Sequence, residues 1–455
     1  MAANFRITDR SQPMLLPPCV EDYVPEDHLA RLVVETVDQL DLSCIMGDYH
    51  PDGMGGAAID PKAILATLIY AYAHAITSSR DIETLCRENM VFRFLSCNLT
   101  PDHTTFARFR KRHSVAFTEL FTQVLDQCRL AGLGKAGTIA LDGTKLKGNA
   151  AMDQNRTLTK ITEELARDAE AKDLAEDFRY GKGKQKDELP KGLRHKEDRR
   201  KRLLEAKGLI EEKLQQEAEA RQAKIETREQ DERETGRKKR GRKPKEPTTE
   251  AEPEAKANVT DPDSRILKTR SGYVQGFNAQ AVVSMDQLIL AADVTQEAND
   301  VKQLIPMILQ AQANVARSAA AGIGAEIEKI LADAGYHSRA NLSELEQTGV
   351  EGFIPSTKSW KLRKELLDSG YHEGPIPENL DPTMHMELKL RTEAGHQIYK
   401  LRGQTIEPTF GQTKDGLAGL PRRGIEAARA DWCMICLAHN LKKLWRHNQV
   451  SRKAA

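Results

Sequence analysis

The sequence predicts an α/β domain that is interrupted by a charged helical insertion and preceded by an all-α N-terminal domain. Three observations lead to this fold class. Roughly the first 130 residues have helical apolar spacing, short strand-like apolar runs occur near residue 140 and again from about residue 272, and the stretch between them is highly charged. The chain has 455 residues, which is longer than a domain with a single hydrophobic core usually is. We therefore expect two or three domains.

The N-terminal region reads as a series of helices. Asp60 followed by Pro61 is a favourable helix start, because an N-cap side chain precedes Pro at the first helical position. A later helix has Phe residues at helical spacing and interleaved basic residues. These basic residues are Arg108, Arg110, Lys111 and Arg112. They indicate either a small helical DNA-binding module or a solvated basic face, and this feature alone favours neither.

The α/β region begins with a short strand, Thr138 to Leu141, that should end at Asp142 in a turn-like stretch. Two strands separated by a hairpin-like break at 284–287 follow, then a helix capped by Asp300, then a strand that ends at Asp333. A helix beginning near Glu407 and a last helix through Trp432 to His447 close the chain. This order fits a ribonuclease-H-like (retroviral-integrase-like) catalytic domain.

The expected domains follow from these changes in pattern. Residues 1–130 form the helical DNA-binding domain, and residues 131–150 with 260–450 form the catalytic domain. Residues 151–259 form a charged helical insertion with thin apolar seams and a basic disordered segment.

Asp142 and Asp333 stand out among the 67 acidic residues because each follows an apolar strand and precedes Gly within two residues. A strand end fixes a carboxylate rigidly, and the Gly lets backbone and substrate approach closely. On adjacent strands the two carboxylates would converge, as hard divalent cations require. The alternative is that each is only a strand-terminating turn residue.

A third carboxylate, Glu407, precedes Pro408, which places it at the start of a helix. Lys414 would then lie two turns along the same face. Lys414 and Arg402 suit phosphate oxygens by charge. An amphipathic helix with ordinary surface charges would have the same pattern.

Several motifs together resemble bacterial insertion-sequence DDE transposases with an InsH-like N-terminal domain. They are LLPP (15–18), VPEDHL (24–29), SSRDIE (78–83), PDHTTFARFRKRH (101–113), LDGTKLKGNA (141–150), TDPDSRILK (260–268), VQGFNAQAVV (274–283), AND (298–300), LADAGYHS (331–338), EPTFGQTK (407–414) and HNLKKL (439–444). The resemblance covers nearly the whole chain.

The resemblance implies that Asp142, Asp333 and Glu407 are catalytic and bind two Mg²⁺ or Mn²⁺ ions per active site. The wider superfamily has a Tyr-Arg-Glu-Lys signature, which Tyr399, Arg402, Glu407 and Lys414 approximate with four residues rather than three between Arg and Glu. The Tyr, Arg and Lys of this set would contact DNA.

The implied activity is metal-dependent cleavage at transposon ends followed by strand transfer into target DNA, without a covalent protein–DNA link. Terminal inverted repeats and target DNA are the expected partners, with a homodimer to pair two ends and a cytoplasmic, nucleoid-associated location. The alternatives are a catalytically inactive transposase-derived DNA-binding protein, a structure-specific nuclease of the same fold, and a scaffold without metal dependence.

Three further features have weaker interpretations. Residues 237–245 contain seven basic residues in nine, and Arg240 and Arg242 resemble a relaxed AT-hook that could enter a narrow minor groove, although a disordered basic linker would look the same. Cys433 has helical spacing with later leucines and reads as core rather than as a zinc ligand. His337, four residues after Asp333, could contact the scissile phosphate or simply pack.

Charged residues are abundant but balanced, with 68 Lys and Arg against 67 Asp and Glu and a net charge of +1. The total charge therefore does not indicate whether the protein binds nucleic acid. The seven scattered cysteines argue against a disulfide framework and favour a reducing cytoplasm. The N-terminal sequence has no apolar h-region, and the longest apolar run, roughly Ala63 to Ile76, is too short to span a bilayer. We therefore expect no membrane association.

Overall fold

The computed structural model of the chain describes residues 19–49, 58–157, 159–161, 163–164, 194–235, 256–269, 271–319, 326–356, 368, 370–377 and 379–454. Short 3-10 turns occur at Val20–Tyr23, Met152–Gln154 and Val301–Gln303. None of the helices in these ranges is long and apolar enough to cross a membrane.

Within residues 19–49 and 58–130, the N-terminal region contains seven helices. They are α1 (Leu29–Gln39), α2 (Ser43–Met46), α3 (Pro61–Ala73), α4 (Ser79–Glu88), α5 (Met90–Leu95), α6 (His103–Arg112) and α7 (Ala116–Leu130). The predicted helix start is confirmed, because the Asp60 side chain accepts a hydrogen bond from the Lys62 amide and Pro61 is the first helical residue.

A mixed sheet follows the helices. Its strands are β1 (Gly137–Lys147), β4 (Arg265–Thr269), β5 (Gly272–Ser284), β6 (Ile289–Thr295), β7 (Ile327–Ala332) and β8 (Glu351–Phe353). The central order is β5, β1, β7, β8, and both β4 and β6 pair with β5. β5 runs antiparallel to β1, β4 and β6, whereas β1, β7 and β8 are mutually parallel. The predicted hairpin at 284–287 is confirmed as the β5–β6 turn.

Five helices of the described residues accompany the second half of the sheet. They are α9 (Leu304–Ala319), α10 (Arg339–Gln347), α11 (Pro382–Arg391), α12 (Glu393–Lys414) and α13 (Ile425–Ala454). Helix α12 packs on β1, β5 and β7, and α13 packs on β6 and on the N-terminal helix α7.

One hydrophobic core joins the N-terminal helices to the sheet. Phe121 of α7, Phe277 of β5 and Trp432 of α13 are all fully buried within it. Polar contacts cross the same interface, for example Cys128 Sγ donating to the Asn440 carbonyl at 3.6 Å. The boundary near residue 130 between a DNA-binding and a catalytic domain stays a prediction.

The insertion contains a long helix, α8 (Arg194–Thr235), and a two-stranded ladder of β2 (Asn155–Thr157) with β3 (Lys256–Asn258). A second, small hydrophobic cluster lies here, in which Leu203 and Ile210 of α8 pack against Ile161 and Ala257. These apolar residues thus pack within the insertion and are not part of the main core.

Two predicted boundaries are wrong. Strand β1 does not end at Asp142 but continues to Lys147, because β5 pairs with it along that whole length. Helix α12 does not begin near Glu407 but at Glu393, and Pro408 lies inside it. In both cases a tertiary contact extends the element past a residue that favours a local break.

Candidate active site

Strand register places Asp142 and Asp333 side by side. In the parallel pair of β1 with β7, Leu141 is opposite Ala332, the last residue of β7. An aspartate follows each of these two residues in the chain, so Asp142 and Asp333 lie at the same level of the sheet. Asp142 lies within β1, opposite Ala281 of β5, whereas Asp333 begins the loop after β7.

Asp142 is held from several sides. Its Oδ2 atom forms an ion pair with Arg402 Nη2 at 2.7 Å, and its Oδ1 atom accepts from the Gly143 amide at 2.8 Å. Burial raises the pKa of Asp142 to about 6, Arg402 opposes this rise, and the negative charge of Asp333 adds to it. Two carboxylates thus repel each other in a largely desolvated place, with one guanidinium as the counter-charge.

Helix α12 crosses β1 at this point. Arg402 contacts Asp142, and Lys414 Nζ donates to Thr144 Oγ1 at 2.9 Å. Glu407 lies between these two contacts along the helix and is exposed. Tyr399, one turn before Arg402, is half-buried, and its phenol is among the groups whose charge acts on that guanidinium.

Asp333 and His337 lie in the loop after β7. The Asp333 Oδ1 atom accepts from the Gly335 amide at 2.7 Å. His337 is half-buried, and its Nε2 atom is buried without a hydrogen-bond partner among the described residues. Burial lowers the pKa of His337, and the carboxylates that act against this are Glu387 and Asp381. The carboxylates whose charges act on His337 thus lie on α11 and at its N-cap, and Asp142 is not one of them.

A buried polar network behind β1 was not found by sequence reasoning. Asp300 Oδ1 accepts from Asn278 Nδ2 at 2.6 Å and from Gln280 Nε2 at 2.9 Å. It also pairs with Lys145 at 3.3 Å, and Tyr336 Oη donates to Gln280 Oε1. Asp300 precedes a helical turn as predicted, but its side chain makes no capping hydrogen bond. The only sequence signal was its place in the AND motif.

Gly143 has a different role from the one predicted. A Cβ atom at this position would lie 2.4 Å from Gln280 Nε2 and 2.7 Å from Asp300 Oδ1. Gly143 pairs with Gln280 and Asp142 with Ala281, so the network lies on the sheet face opposite the Asp142 carboxylate. The glycine is therefore required by internal packing behind the site, and not only by the approach of a substrate.

The donor set fits a divalent cation in part. Two adjacent carboxylates, one of them with a raised pKa because of burial, are oxygen donors of the kind that Mg²⁺ and Mn²⁺ prefer. Within the described ranges, no group of three or more His, Cys, Asp or Glu side chains converges closely enough to hold one ion. Asp142 and Asp333 are therefore two adjacent carboxylates that could ligate an ion, and Glu407 is not grouped with them.

The structure separates the four basic residues of α6. Arg110 is only 4% exposed, and its guanidinium donates to Tyr72 Oη at 3.0 Å, to the Thr77 carbonyl at 2.7 Å and to Ser79 Oγ. Tyr72 Oη in turn donates to Asp431 of α13 at 2.7 Å. The predicted DNA contact of Arg110 is wrong for this arrangement, because its donors face the protein interior.

The other three basic residues of α6 are exposed. Arg112 is already engaged, since it pairs with Asp48 at 3.2 Å and lies 5.2 Å from the centre of the Tyr49 ring. Arg108 and Lys111 present their charges to solvent. They are the residues of this helix whose placement suits contact with a phosphate backbone.

Two remaining features of the sequence lie elsewhere. Arg240 and Arg242 fall outside the described residues. Cys433 is confirmed as a core residue, being buried on α13 together with Cys436.

Two family models match the chain. The transposase domain DUF772 matches residues 18–112, and the transposase DDE domain matches residues 254–441. The second match includes Asp333 and Glu407, while Asp142 lies between the two matched segments. Neither the curated proteins nor the solved structures gave a match. The two matches, in the same order as the N-terminal helices and the sheet, support assignment of the chain to the insertion-sequence DDE transposases.

Proposed function

We propose that this transposase cuts phosphodiester bonds at the ends of its element and joins the resulting 3′-OH to target DNA, on a ribonuclease-H-like fold. The fold assignment is supported by a sheet in which antiparallel β6 and β5 precede parallel β1, β7 and β8 in spatial order. The single observation that carries the proposal is the β1–β7 register, which brings Asp142 and Asp333 together.

Asp142 and Asp333 would hold the metal, with Glu407 as the third ligand that the family resemblance implies. The position of Glu407 supports this role, since it lies on α12 between Arg402 and Lys414, which contact β1 at Asp142 and Thr144. Two Mg²⁺ or Mn²⁺ ions, when bound, would stabilise the attacking and leaving oxygens of an in-line displacement. Arg402 keeps the Asp142 carboxylate in place, and its charge suits a nearby phosphate.

The DNA-binding surface would include the exposed Arg108 and Lys111 of α6 together with Lys414 and Tyr399 of α12. Contacts to phosphates position DNA without reading its sequence. We further propose that the N-terminal helices bind the terminal inverted repeats and that two copies of the chain pair two ends. Arg240 and Arg242 would add non-specific attraction to the backbone.

The test is cleavage of labelled DNA that carries the repeats flanking the gene, in Mg²⁺ or Mn²⁺ and in EDTA. We expect wild-type protein to cut at the repeat ends only with metal. Asp142→Ala and Glu407→Gln should each lower the rate on the order of a thousandfold or more, because each removes a proposed ligand of the metal ions that would stabilise the transition state. Glu328→Gln is the matched control, since Glu328 is an exposed carboxylate on β7, near Asp333 in sequence.

Each other outcome excludes part of the proposal. Binding of the repeats without cutting would indicate a DNA-binding relic. Cutting without regard to the repeats would indicate a nuclease of the same fold. Cutting that survives Asp142→Ala would mean that the active site lies elsewhere.

A further inference from the structure

Helix α12 contains a break in its hydrogen bonding next to Glu407. Pro408 has no amide hydrogen, so it cannot donate to the carbonyl of Gln404, four residues earlier. The structure supplies another donor, because Gln287 Nε2 donates to the Gln404 carbonyl at 3.4 Å. Glu407 lies within the turn that this bond spans.

Gln287 occupies an unusual backbone position. It ends the turn between β5 and β6, with its amide donating to the Ser284 carbonyl at 2.8 Å, and its φ is +66°. Glycine is the favoured residue at the left-handed position of such a hairpin, because a Cβ atom is disfavoured there. A glutamine here incurs backbone strain, and strained residues persist where the surroundings hold them for a purpose.

The side chain of Gln287 is oriented by its neighbours. Lys443 Nζ donates to its Oε1 atom at 2.7 Å, and Gln412 Nε2 donates to the same atom at 3.4 Å. His439 Nε2 donates to the Gln287 backbone carbonyl at 2.9 Å. Because the Lys443 ammonium can only donate, its contact identifies Oε1 as the amide oxygen and leaves Nε2 as the atom that donates to the Gln404 carbonyl.

We propose that Gln287 is a positioning residue that replaces the backbone donor lost at Pro408 and so fixes the turn of α12 carrying Glu407. The β5–β6 hairpin and α12 are then joined at the turn that loses a backbone hydrogen bond at Pro408. The expected effect on DNA cleavage rests on the proposed role of Glu407. The hydrogen bond from Gln287 to α12, which we call the clamp, does not depend on that role.

The first test is Gln287→Gly, which removes the amide and also relieves the backbone strain. If Gln287 served only the β5–β6 turn, this change would not reduce activity, because glycine is favoured at that position. We expect the cleavage rate to fall roughly ten- to a hundredfold, as for other small displacements of catalytic groups. Affinity for repeat DNA should stay the same. Gln404→Ala is the matched control, because it removes an exposed amide from the same turn but keeps the carbonyl.

The second test places Gln287→Gly in a Pro408→Ala background. Alanine restores an amide hydrogen that can donate to the Gln404 carbonyl, so the donor on Gln287 is no longer needed. We expect the effect of Gln287→Gly on cleavage to shrink to about threefold or less, a coupling that a double-mutant cycle measures. An equal effect in both backgrounds would overturn the proposal.

Amide hydrogen exchange over residues 401–412 provides a readout that needs no DNA. Exchange should be faster in Gln287→Gly than in wild type and should return to slow values in the double variant. Unchanged exchange in the single variant would overturn the clamp. If the wild-type protein cuts no DNA, the proposed function fails. Amide hydrogen exchange still tests whether Gln287 stabilises this turn of α12.

Discussion

Asp142 and Asp333 on the sheet and Glu407 on α12 are held in different ways. The first two are placed by backbone pairing of β1 with β7, so their neighbours follow directly from the register. Glu407 is placed by how α12 packs, and the hydrogen bonding of that helix is incomplete beside it at Pro408. Hydrogen bonding between two neighbouring strands thus positions Asp142 and Asp333, whereas the position of Glu407 depends on contacts between α12 and other elements.

The same contrast appears within α6. Arg108 and Arg110 are two residues apart, which turns their side chains by about 200° around the helix. Arg108 is exposed, whereas Arg110 lies in a buried network with Tyr72 and Asp431. On a helix, neighbours in sequence therefore have unrelated roles.

The largest expected effect separates these two arginines. Arg110→Ala should lower the free energy of unfolding by about 3 kcal/mol, because it removes a charged partner from a buried network. Arg108→Ala should change it by less than about 0.5 kcal/mol but weaken DNA binding and reduce its salt dependence by about one charge. Urea unfolding and binding at several salt concentrations measure both. Equal losses of stability would contradict the distinction.

Replacing one glycine on β1 and one on α12 by alanine tests how tightly each element is packed. Gly143→Ala should cost about 1–3 kcal/mol of stability and slow cleavage, because its Cβ would enter the buried network behind Asp142. Gly411→Ala on α12 has no neighbour within 4 Å of its Cβ and should be neutral or stabilising by up to about 1 kcal/mol. Thermal unfolding and cleavage rates of the two variants provide the measurement. A stable, active Gly143→Ala protein would show that the network tolerates a methyl group.

The smallest effect concerns the contact between α13 and the β5–β6 hairpin. Burial lowers the pKa of His439 to about 4. The unfolded chain, with a pKa near 6.5, therefore takes up this proton first as the pH falls, and stability decreases from about pH 6.5 toward pH 4. At pH 5.5 the loss from this group should be about 1 kcal/mol relative to pH 7.5.

His439→Gln is the comparison for that effect, because its amide can still donate to the Gln287 carbonyl but does not titrate. The difference in unfolding free energy between the two proteins should change with pH over this window. A constant difference would mean that His439 does not titrate as its burial predicts.

Much of the site could be predicted because its residues follow strong local patterns. The apolar strand before Asp142 and the one before Asp333 were recognised, and the hairpin at 284–287 was confirmed. The helix carrying Glu407 was recognised, but its start was wrong, since Pro408 favours a local break that the clamp from Gln287 offsets. Arg110 was misassigned because composition does not report which helical face is buried.

The sequence by itself determined the order of elements, the two aspartates that follow apolar strand segments and the family motifs, since apolar periodicity and short motifs are local properties of the chain. Only the tertiary structure decided that Asp142 pairs with Arg402, that Asp300 supports β1 from behind, and that Gln287 completes α12. More than 100 residues separate Asp142 from Arg402, Lys145 of β1 from Asp300, and Gln287 from Gln404. Such contacts form only when the sheet register and helix packing bring distant segments together, and no local pattern encodes them.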